Sequence, residues 1–194
     1  LMMIAESCCD IGILDISQCY RITDYSLIKI AECCRNIKEI RTSGCGNITD
    51  LSIMMIADCC PNIVILMVTD CPNISGASVI KIAEHCRNIK SLHIAGCPDF
   101  DDNCVIKIAE CCPNIRKLDI SSCQDITDIS LIQLAESCHD IELLAMAMCS
   151  NITDVSMTKI SECFTKIEDL MINGCFRITD TSMIKVANRF RNIK

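Results

Sequence analysis

Residues 22–45 read ITDYSLIKIAECCRNIKEIRTSGC. Leu27, Ile30, Ala31 and Cys34 follow the i, i+3, i+4, i+7 spacing of an amphipathic helix that turns one apolar stripe inward. Thr23 precedes the stripe, and its hydroxyl can accept from an orphan N–H of the first turn; Asp24 beside it suits the positive end of the helix dipole. The stripe ends near Asn36, a residue type that tolerates the left-handed conformation closing many helices. After it, Ile37, Ile40 and Cys45 frame a short extended stretch. Its clearest copy is Ile115 to Cys123, where Leu118 and Ile120 alternate with Lys117 and Asp119, the period of a strand with one buried face.

This unit recurs without insertion or deletion. Cys19, Cys45, Cys71, Cys97, Cys123, Cys149 and Cys175 stand 26 residues apart, and a fixed period of that size marks a solenoid in which each unit packs on its neighbours. The helix-opening position is Thr23, Thr49, Ser75, Asp101, Thr127, Thr153 and Thr179, each able to cap. Alanine recurs at 31, 57, 83, 109, 135 and 187, where a small side chain allows close approach. Helix and strand alternate, so consecutive strands run parallel. Strands stack about 4.8 Å apart and packed helices about 8–10 Å apart. The array therefore curves, with strands on the concave side and helices on the convex side. All 194 residues form one array of about seven repeats plus a partial one, starting and stopping within a repeat. That start reads as a fragment, and Leu1 to Cys8 reads as a helix without a preceding strand. The ends are expected to associate end-on or to fray, with bare strand edges at Ile13–Ile16 and Asp169–Ile172.

Composition narrows the function. Half the residues are apolar but aromatics are only 3%, so the core is aliphatic and sulfur-rich. A net charge of −7 with mixed signs disfavours nucleic acid, which needs a basic stripe. No apolar run reaches the roughly 18 residues of a membrane span. The series at Cys19 and the series Cys8, Cys34, Cys60, Cys86, Cys112 and Cys138 both fall on core positions, where a free thiol serves as a small hydrophobe; Phe164 and Phe190 replace it in the last units. Disulfides and metal ligation are the weaker readings: the doublets Cys8–Cys9, Cys33–Cys34, Cys59–Cys60 and Cys111–Cys112 are adjacent on a helix and diverge. Neither a metal nor another cofactor is expected. Reduced thiols imply cytoplasm or nucleus, with Cys9, Cys33, Cys59, Cys111 and Cys163 the more exposed.

The outward strand positions vary most, and there a binding surface is expected. The central column is Asp15, Arg41, Met67, His93, Asp119, Ala145 and Met171, flanked by Ile13, Glu39, Ile65, Ser91, Lys117, Leu143 and Asp169 on one side and by Ser17, Ser43, Thr69, Ala95, Ser121, Ala147 and Asn173 on the other. Ile65 with Met67, and Leu143 with Ala145 and Met148, form apolar spots suited to a protein partner, with Arg41, His93, Lys117, Asp119 and Met171 completing the surface. A tolerant face without a partner is the plain alternative. A Ser121–His93–Asp119 triad is conceivable, but no oxyanion element accompanies it, and an enzyme is not expected. On the helices, Lys29 with Glu32, Lys81 with Glu84, Lys107 with Glu110 and Lys159 with Glu162 read as i,i+3 pairs on a solvated surface.

The pattern C-x-x-I-T-D-x-S-L-x-x-I-A-x-x-C-x-N-I-x-x-L-x-I-x-x-C, clearest from Cys123 to Cys149 and covering essentially the whole chain, resembles the cysteine-containing leucine-rich-repeat family. The chain is similar to F-box/leucine-rich-repeat proteins and to proteins like the antagonist of mitotic exit. The resemblance implies a right-handed, horseshoe-like α/β solenoid acting as a protein-interaction scaffold. It further implies substrate recognition for an F-box-type ubiquitin ligase, joined to a cullin-ligase adaptor through an F-box that these residues do not contain. A stand-alone repeat sensor or effector is the alternative. The chain departs from the pattern in using Ile where Leu is usual, in Thr42 at a core strand position, in Ser75-Gly76 for Thr-Asp and in Phe100-Asp101-Asp102 for Ile-Thr-Asp. Thiol titration under denaturant is expected to find nearly all nineteen cysteines free; several protected pairs in non-reduced mass spectra would overturn the reduced-core reading.

Overall fold

The computed structural model describes residues 10–190, so the expected helix over Leu1–Cys8, together with Cys9 and Ile193-Lys194, lies outside the described residues. Within them the chain alternates β1 Ile13–Asp15, α1 Asp24–Cys33, β2 Glu39–Arg41, α2 Asp50–Cys59, β3 Ile65–Met67, α3 Gly76–His85 and β4 Ser91–His93. It continues through α4 Asp102–Cys111, β5 Lys117–Asp119, α5 Asp128–Ser137, β6 Leu143–Ala145, α6 Asp154–Cys163, β7 Asp169–Met171 and α7 Asp180–Arg189. The strands form one open parallel sheet in the order β1 to β7, and every strand residue pairs with the residue 26 positions on, as Leu92 does with Leu118. Among the described residues consecutive helices pack on one another, the inner ones on both sides. This is the α/β solenoid that the period dictates.

The core is a set of columns. Leu14, Ile40, Leu66, Leu92, Leu118 and Leu144 stack beneath the sheet, and Ile30, Ile56, Ile82, Ile108, Leu134 and Ile160 face them from the helices, all buried. The three-residue strands understate the ladder, because hydrogen bonds extend it at both ends. Arg116 N–H donates to the Lys90 carbonyl (2.8 Å) before β5, and Ser122 N–H donates to the Ala147 carbonyl (2.8 Å) after it.

Left-handed backbone appears after the strands, and the asparagines after the helices are not in it. The helices stop at residues such as Cys33, with Cys34 as C-cap at φ −113°; Asn36, Asn62, Asn88 and Asn114 are not among the positive-φ residues. The left-handed column is instead Gln18, Gly44, Asp70, Gly96, Ser122, Met148 and Gly174, at φ 55–78°. It turns the chain out of each strand while the amide of that residue still bonds the next repeat.

The cysteines are more than filler. Cys45, Cys71, Cys97, Cys149 and Cys175 each direct Sγ–H to the carbonyl 29 residues earlier, at 3.1–3.3 Å. Cys60 and Cys112 reach the Ala31 and Ala83 carbonyls of the previous helix at 3.8 and 3.7 Å. A thiol is small and apolar enough for the core, yet it supplies a weak donor. Burial pushes the Cys60, Cys97, Cys112 and Cys138 thiols up to about 12, which keeps them protonated and inert. Cys19, in the first described repeat, is exposed, as is Cys33; Cys59, Cys111 and Cys163 are partly so.

A second set of bonds ties the helix starts together. Thr49 N–H and Oγ1–H both donate to the Asp24 carboxylate (2.8 and 2.7 Å), and Thr49 Oγ1 accepts from Leu51 N–H (3.2 Å) as N-cap. The motif repeats from Asp50 to Ser75, Asp102 to Thr127, Asp128 to Thr153 and Asp154 to Thr179. In three of these units the serine 28 residues beyond the aspartate joins it: Ser78 at Asp50, Ser156 at Asp128, and Ser182, whose Oγ–H donates to Asp154 (2.5 Å). Thr23 alone of the seven openers makes no side-chain cap bond.

The ladder is interrupted once, and the interruption is concerted. Gly76 stands where an aspartate belongs. A Cβ there would overlap Cys104 Sγ and fall 2.7 Å from the Asp99 carbonyl oxygen. With no carboxylate to receive them, the two hydroxyl donors are also gone. Asp101 replaces the threonine and caps its own helix by accepting from Cys104 N–H (3.2 Å), and Cys104 replaces the serine. Phe100 fills the core beside them, 2% exposed. Three departures that look independent in sequence are one substitution in space.

Two predictions follow from the ladder. Gly76→Asp alone should destabilise by about 1–3 kcal/mol through overpacking and a second carboxylate near Asp101, whereas the triple variant Gly76→Asp, Asp101→Thr, Cys104→Ser should recover most of that loss. A triple variant no more stable than the single one in urea melts removes the coupling. Acid is the other lever. Hydrogen bonds from Ser182 and Thr179 lower Asp154 from 3.8 to about 2. Burial pushes Asp50 and Asp128 upward, but the hydroxyl and amide donors around them prevail and both end below the ordinary value. A carboxyl with a depressed folded pKa contributes stability above its unfolded pKa, and that contribution drains away as pH falls through the folded one. Stability should therefore fall between roughly pH 4 and pH 2, and Asp128→Asn should flatten that slope in acid titrations followed by circular dichroism.

Candidate functional site

The outward strand residues and the residues just before them form a shallow trough along the strand starts. Its central part is a groove of about 480 Å³. Val64, Ile65, Met67 and Leu143 give it an apolar floor, and Arg41, Lys90, His93, Arg116, Lys117 and Glu142 stand around them. Toward β1 a second depression of about 320 Å³ shares Val64 and Ile65 and continues to Ile13. Below the strand starts a third of about 230 Å³ shares Lys90 and Arg116 and adds Arg87, Asn88, Asn114 and Asp140.

Six expected site residues, Arg41, Ile65, Met67, His93, Lys117 and Leu143, line this one groove. Four differ. Asp119 stands beside His93 on the next strand, as exposed as the imidazole, but does not line the groove. Ala145 is 2% exposed; a methyl between Asp119 and Met171 in the register cannot reach past them. Met148 is not on the sheet face: it occupies the left-handed turn after β6 at φ 63° and lies over Gly174. The second apolar spot therefore dissolves, leaving Leu143 as part of the first. Met171 is exposed on the edge strand β7, outside the groove.

Charge in the trough is mostly self-paired. Arg41 is clamped to Glu39, which is itself buried, and faces Asp15 at 3.7 Å. Arg116 pairs with Glu142 (3.2 Å), and Lys166 pairs with Asp140 (2.6 Å). On the convex side Lys29–Glu32 and Lys107–Glu110 pair as expected. Lys81 and Lys159 instead reach back one repeat, to Asp58 (2.6 Å) and Glu136 (2.7 Å).

His93 anchors the centre. Its Nε2 lies 3.0 Å from Ser91 Oγ, and its Nδ1 faces Asp119 Oδ2 at 3.8 Å. The serine beside the imidazole is thus Ser91, not Ser121, whose N–H donates to Asp119 Oδ1 (3.0 Å). Burial pushes the Asp119 carboxyl up, but His93 and the Ser121 hydroxyl and amide hold it below the usual value. The constellation lacks what acyl transfer needs. Ser91 is 6% exposed, and the nearest amides are committed: Lys90 and Ser91 N–H both donate to the Val64 carbonyl at 2.9 and 3.1 Å. Those two amides are therefore not free to act as oxyanion donors beside the hydroxyl. Its chemistry is positioning: it fixes the imidazole at the groove wall.

The residue before each of four strands also belongs to the groove, beyond the outward strand positions. Val64, Lys90, Arg116 and Glu142 precede the strands, yet they line the groove. The signal was present in the period itself, since these positions vary as the outward strand positions do.

A leucine-rich-repeat family model matches residues 111–135. No curated protein sequence matches the chain. Among solved structures, it is similar to a chain of the Rad7 and Elc1 complex of yeast, at 15% identity over 97% of this chain and 67% of that one, with a TM-score of 0.43. It is similar to the C-terminal domain of tropomodulin from Caenorhabditis elegans, at 10% identity over 72% of this chain and 89% of that one, with a TM-score of 0.57. Actin-binding site 2 of leiomodin-1 matches at 14% identity over 60% of this chain and 75% of that one, with a TM-score of 0.49. At 10% identity the tropomodulin likeness is one of fold.

Proposed function

We propose that the chain is a protein-interaction scaffold that receives its partner in the concave groove. The observation that carries this reading is the half-exposed apolar floor of Ile65, Met67 and Leu143, ringed by charged side chains. An apolar floor with a polar rim is the anatomy of a protein contact, and Met adapts to the shape it meets. The rest of the repeat is consumed by packing: among the described residues every buried side-chain nitrogen and oxygen has a hydrogen-bond partner. Among the described residues, too, no helix is long and apolar enough to cross a membrane.

The finer reading is that these repeats recognise substrates for an F-box-type ubiquitin ligase in cytoplasm or nucleus. It rests on the sequence pattern around Cys123 to Cys149. If it holds, the groove partner's ubiquitination falls when this protein is removed from its cell. Unchanged ubiquitination would remove the ligase role and leave the scaffold.

Met67→Asp tests the groove itself. It places a charge on the apolar floor and should weaken a groove partner by about 2 kcal/mol or more, while the melting temperature barely moves. Leu118→Ala is the control. That side chain is fully buried, so truncation should cost about 2–5 kcal/mol of stability through a core cavity. Equal partner affinity for wild type and Met67→Asp, measured by calorimetry, would move the contact elsewhere.

A further inference from the structure

The strand columns avoid stacking like charges. The central one runs Asp15, Arg41, Met67, His93, Asp119, Ala145, Met171, and its charged neighbours are opposite in sign or separated. The first outward column separates Glu39, Lys117 and Asp169 by neutral residues. The rule breaks at the strand starts. There Lys90 lies directly against Arg116, whose N–H donates to the Lys90 carbonyl (2.8 Å), Glu142 lies in the same way against Glu168 (2.8 Å), and Lys117 follows Arg116 along the chain. Like charges side by side on adjacent strands are destabilising. Arg116 is relieved by Glu142 at 3.2 Å. Among the described residues, Lys90 and Lys117 have no acidic group within ion-pair distance. Both are exposed, both line the groove, and both flank its apolar floor. This is a localised positive field in a chain of net charge −7.

We infer that the groove takes an extended, acidic-and-apolar segment of a partner protein. Its carboxylates meet Lys90 and Lys117, and its apolar side chains lie on Ile65, Met67 and Leu143. This deepens the scaffold reading and rests on it. The groove crosses four strand spacings between Arg41 and Leu143, roughly 19 Å at about 4.8 Å each, which an extended chain spans in about six residues. Such a segment presents side chains alternately to the floor and to the rim, and this groove offers one apolar and one cationic zone to match. Arg41 does not take part, because Glu39 and Asp15 already neutralise it. A single-stranded nucleic acid is the competing polyanion. It would need aromatic side chains for its bases to stack on, and the groove has His93 as its one ring.

The test uses the purified chain. A random peptide library is selected on wild type, and the recovered sequences are rebound to Met67→Asp and to Lys90→Glu/Lys117→Glu, whose surface positions should leave the melting temperature unchanged. Expected are peptides rich in Glu or Asp alternating with Leu, Ile or Met, losing at least tenfold in affinity on each variant and weakening as salt rises. In parallel, a labelled peptide of about six alternating Glu and Leu residues should bind more tightly than its Lys and Leu counterpart. Peptides that need Met67 but show no acidic preference overturn the charge assignment and leave the groove reading intact. Peptides indifferent to Met67→Asp overturn both. An oligouridylate that binds more tightly than the acidic peptide overturns the choice of a protein segment.

Discussion

Among the described residues, each strand position stacks on its own equivalent one repeat away. The parallel register of 26 residues imposes this from Ile13–Glu39 to Ala145–Met171, and strand spacing leaves about 4.8 Å between neighbours. A column must therefore be compatible with itself. Aliphatic residues satisfy that condition trivially, which is why Ile and Leu fill the interior. Polar groups satisfy it only when each unit both gives and receives. The thiol columns do so by donating backward to a carbonyl of the preceding repeat. The aspartate–threonine pairs do so by handing hydroxyl and amide protons to the carboxylate 25 residues earlier. These bonds are weak or partly exposed singly, but the period sets them in rows, each joining one repeat to the next.

The same condition explains why the one broken row breaks in three places. A column in which each member serves the next cannot lose one residue without orphaning its partners. Removing the carboxylate at Gly76 takes away the acceptor that a hydroxyl at 101 would use, whereas a serine at 104 would keep only the carbonyl three residues before it, the acceptor its equivalents Ser52 and Ser130 use. The residues found there need no such acceptor: Asp101 turns to its own helix, and Cys104 takes up the volume a carboxylate would have used.

Much of this was legible in the sequence, because a period repeats its evidence. The helix stripe, the capping position and the Leu118–Ile120 alternation each appear seven times with small variations, so packing dominates any single propensity. What failed to read were features set by three-dimensional neighbours. Asn36 and its equivalents looked like left-handed helix caps, but the left-handed backbone lies after the strands, where residues as unlike as Gln18, Met148 and Gly174 accept it. Ala145 lies in an outward column yet is covered, since exposure there depends on the length of Asp119 and Met171 beside it. Lys81 and Lys159 reach acids one repeat back because the adjacent helix is as near as the next turn. The trough was half legible: its floor came from the strand residues, and its cationic wall came from the residues one step earlier.

Those cations are informative because the architecture is otherwise so economical. In the columns that build the core, substitution is constrained by the repeat on either side, and the variation that survives is compensated, as at Gly76. At the strand starts the constraint is electrostatic rather than steric. Arg41 shows how the chain meets it when the charge serves the fold: Glu39 is buried against the guanidinium and Asp15 stands opposite. Among the described residues Lys90 and Lys117 have no such arrangement, in a chain of net charge −7. An uncompensated pair of cations beside an apolar floor contributes nothing to the solenoid's own packing. Among the described residues no carboxylate pairs with either lysine, and that is the ground for the acidic partner segment proposed above.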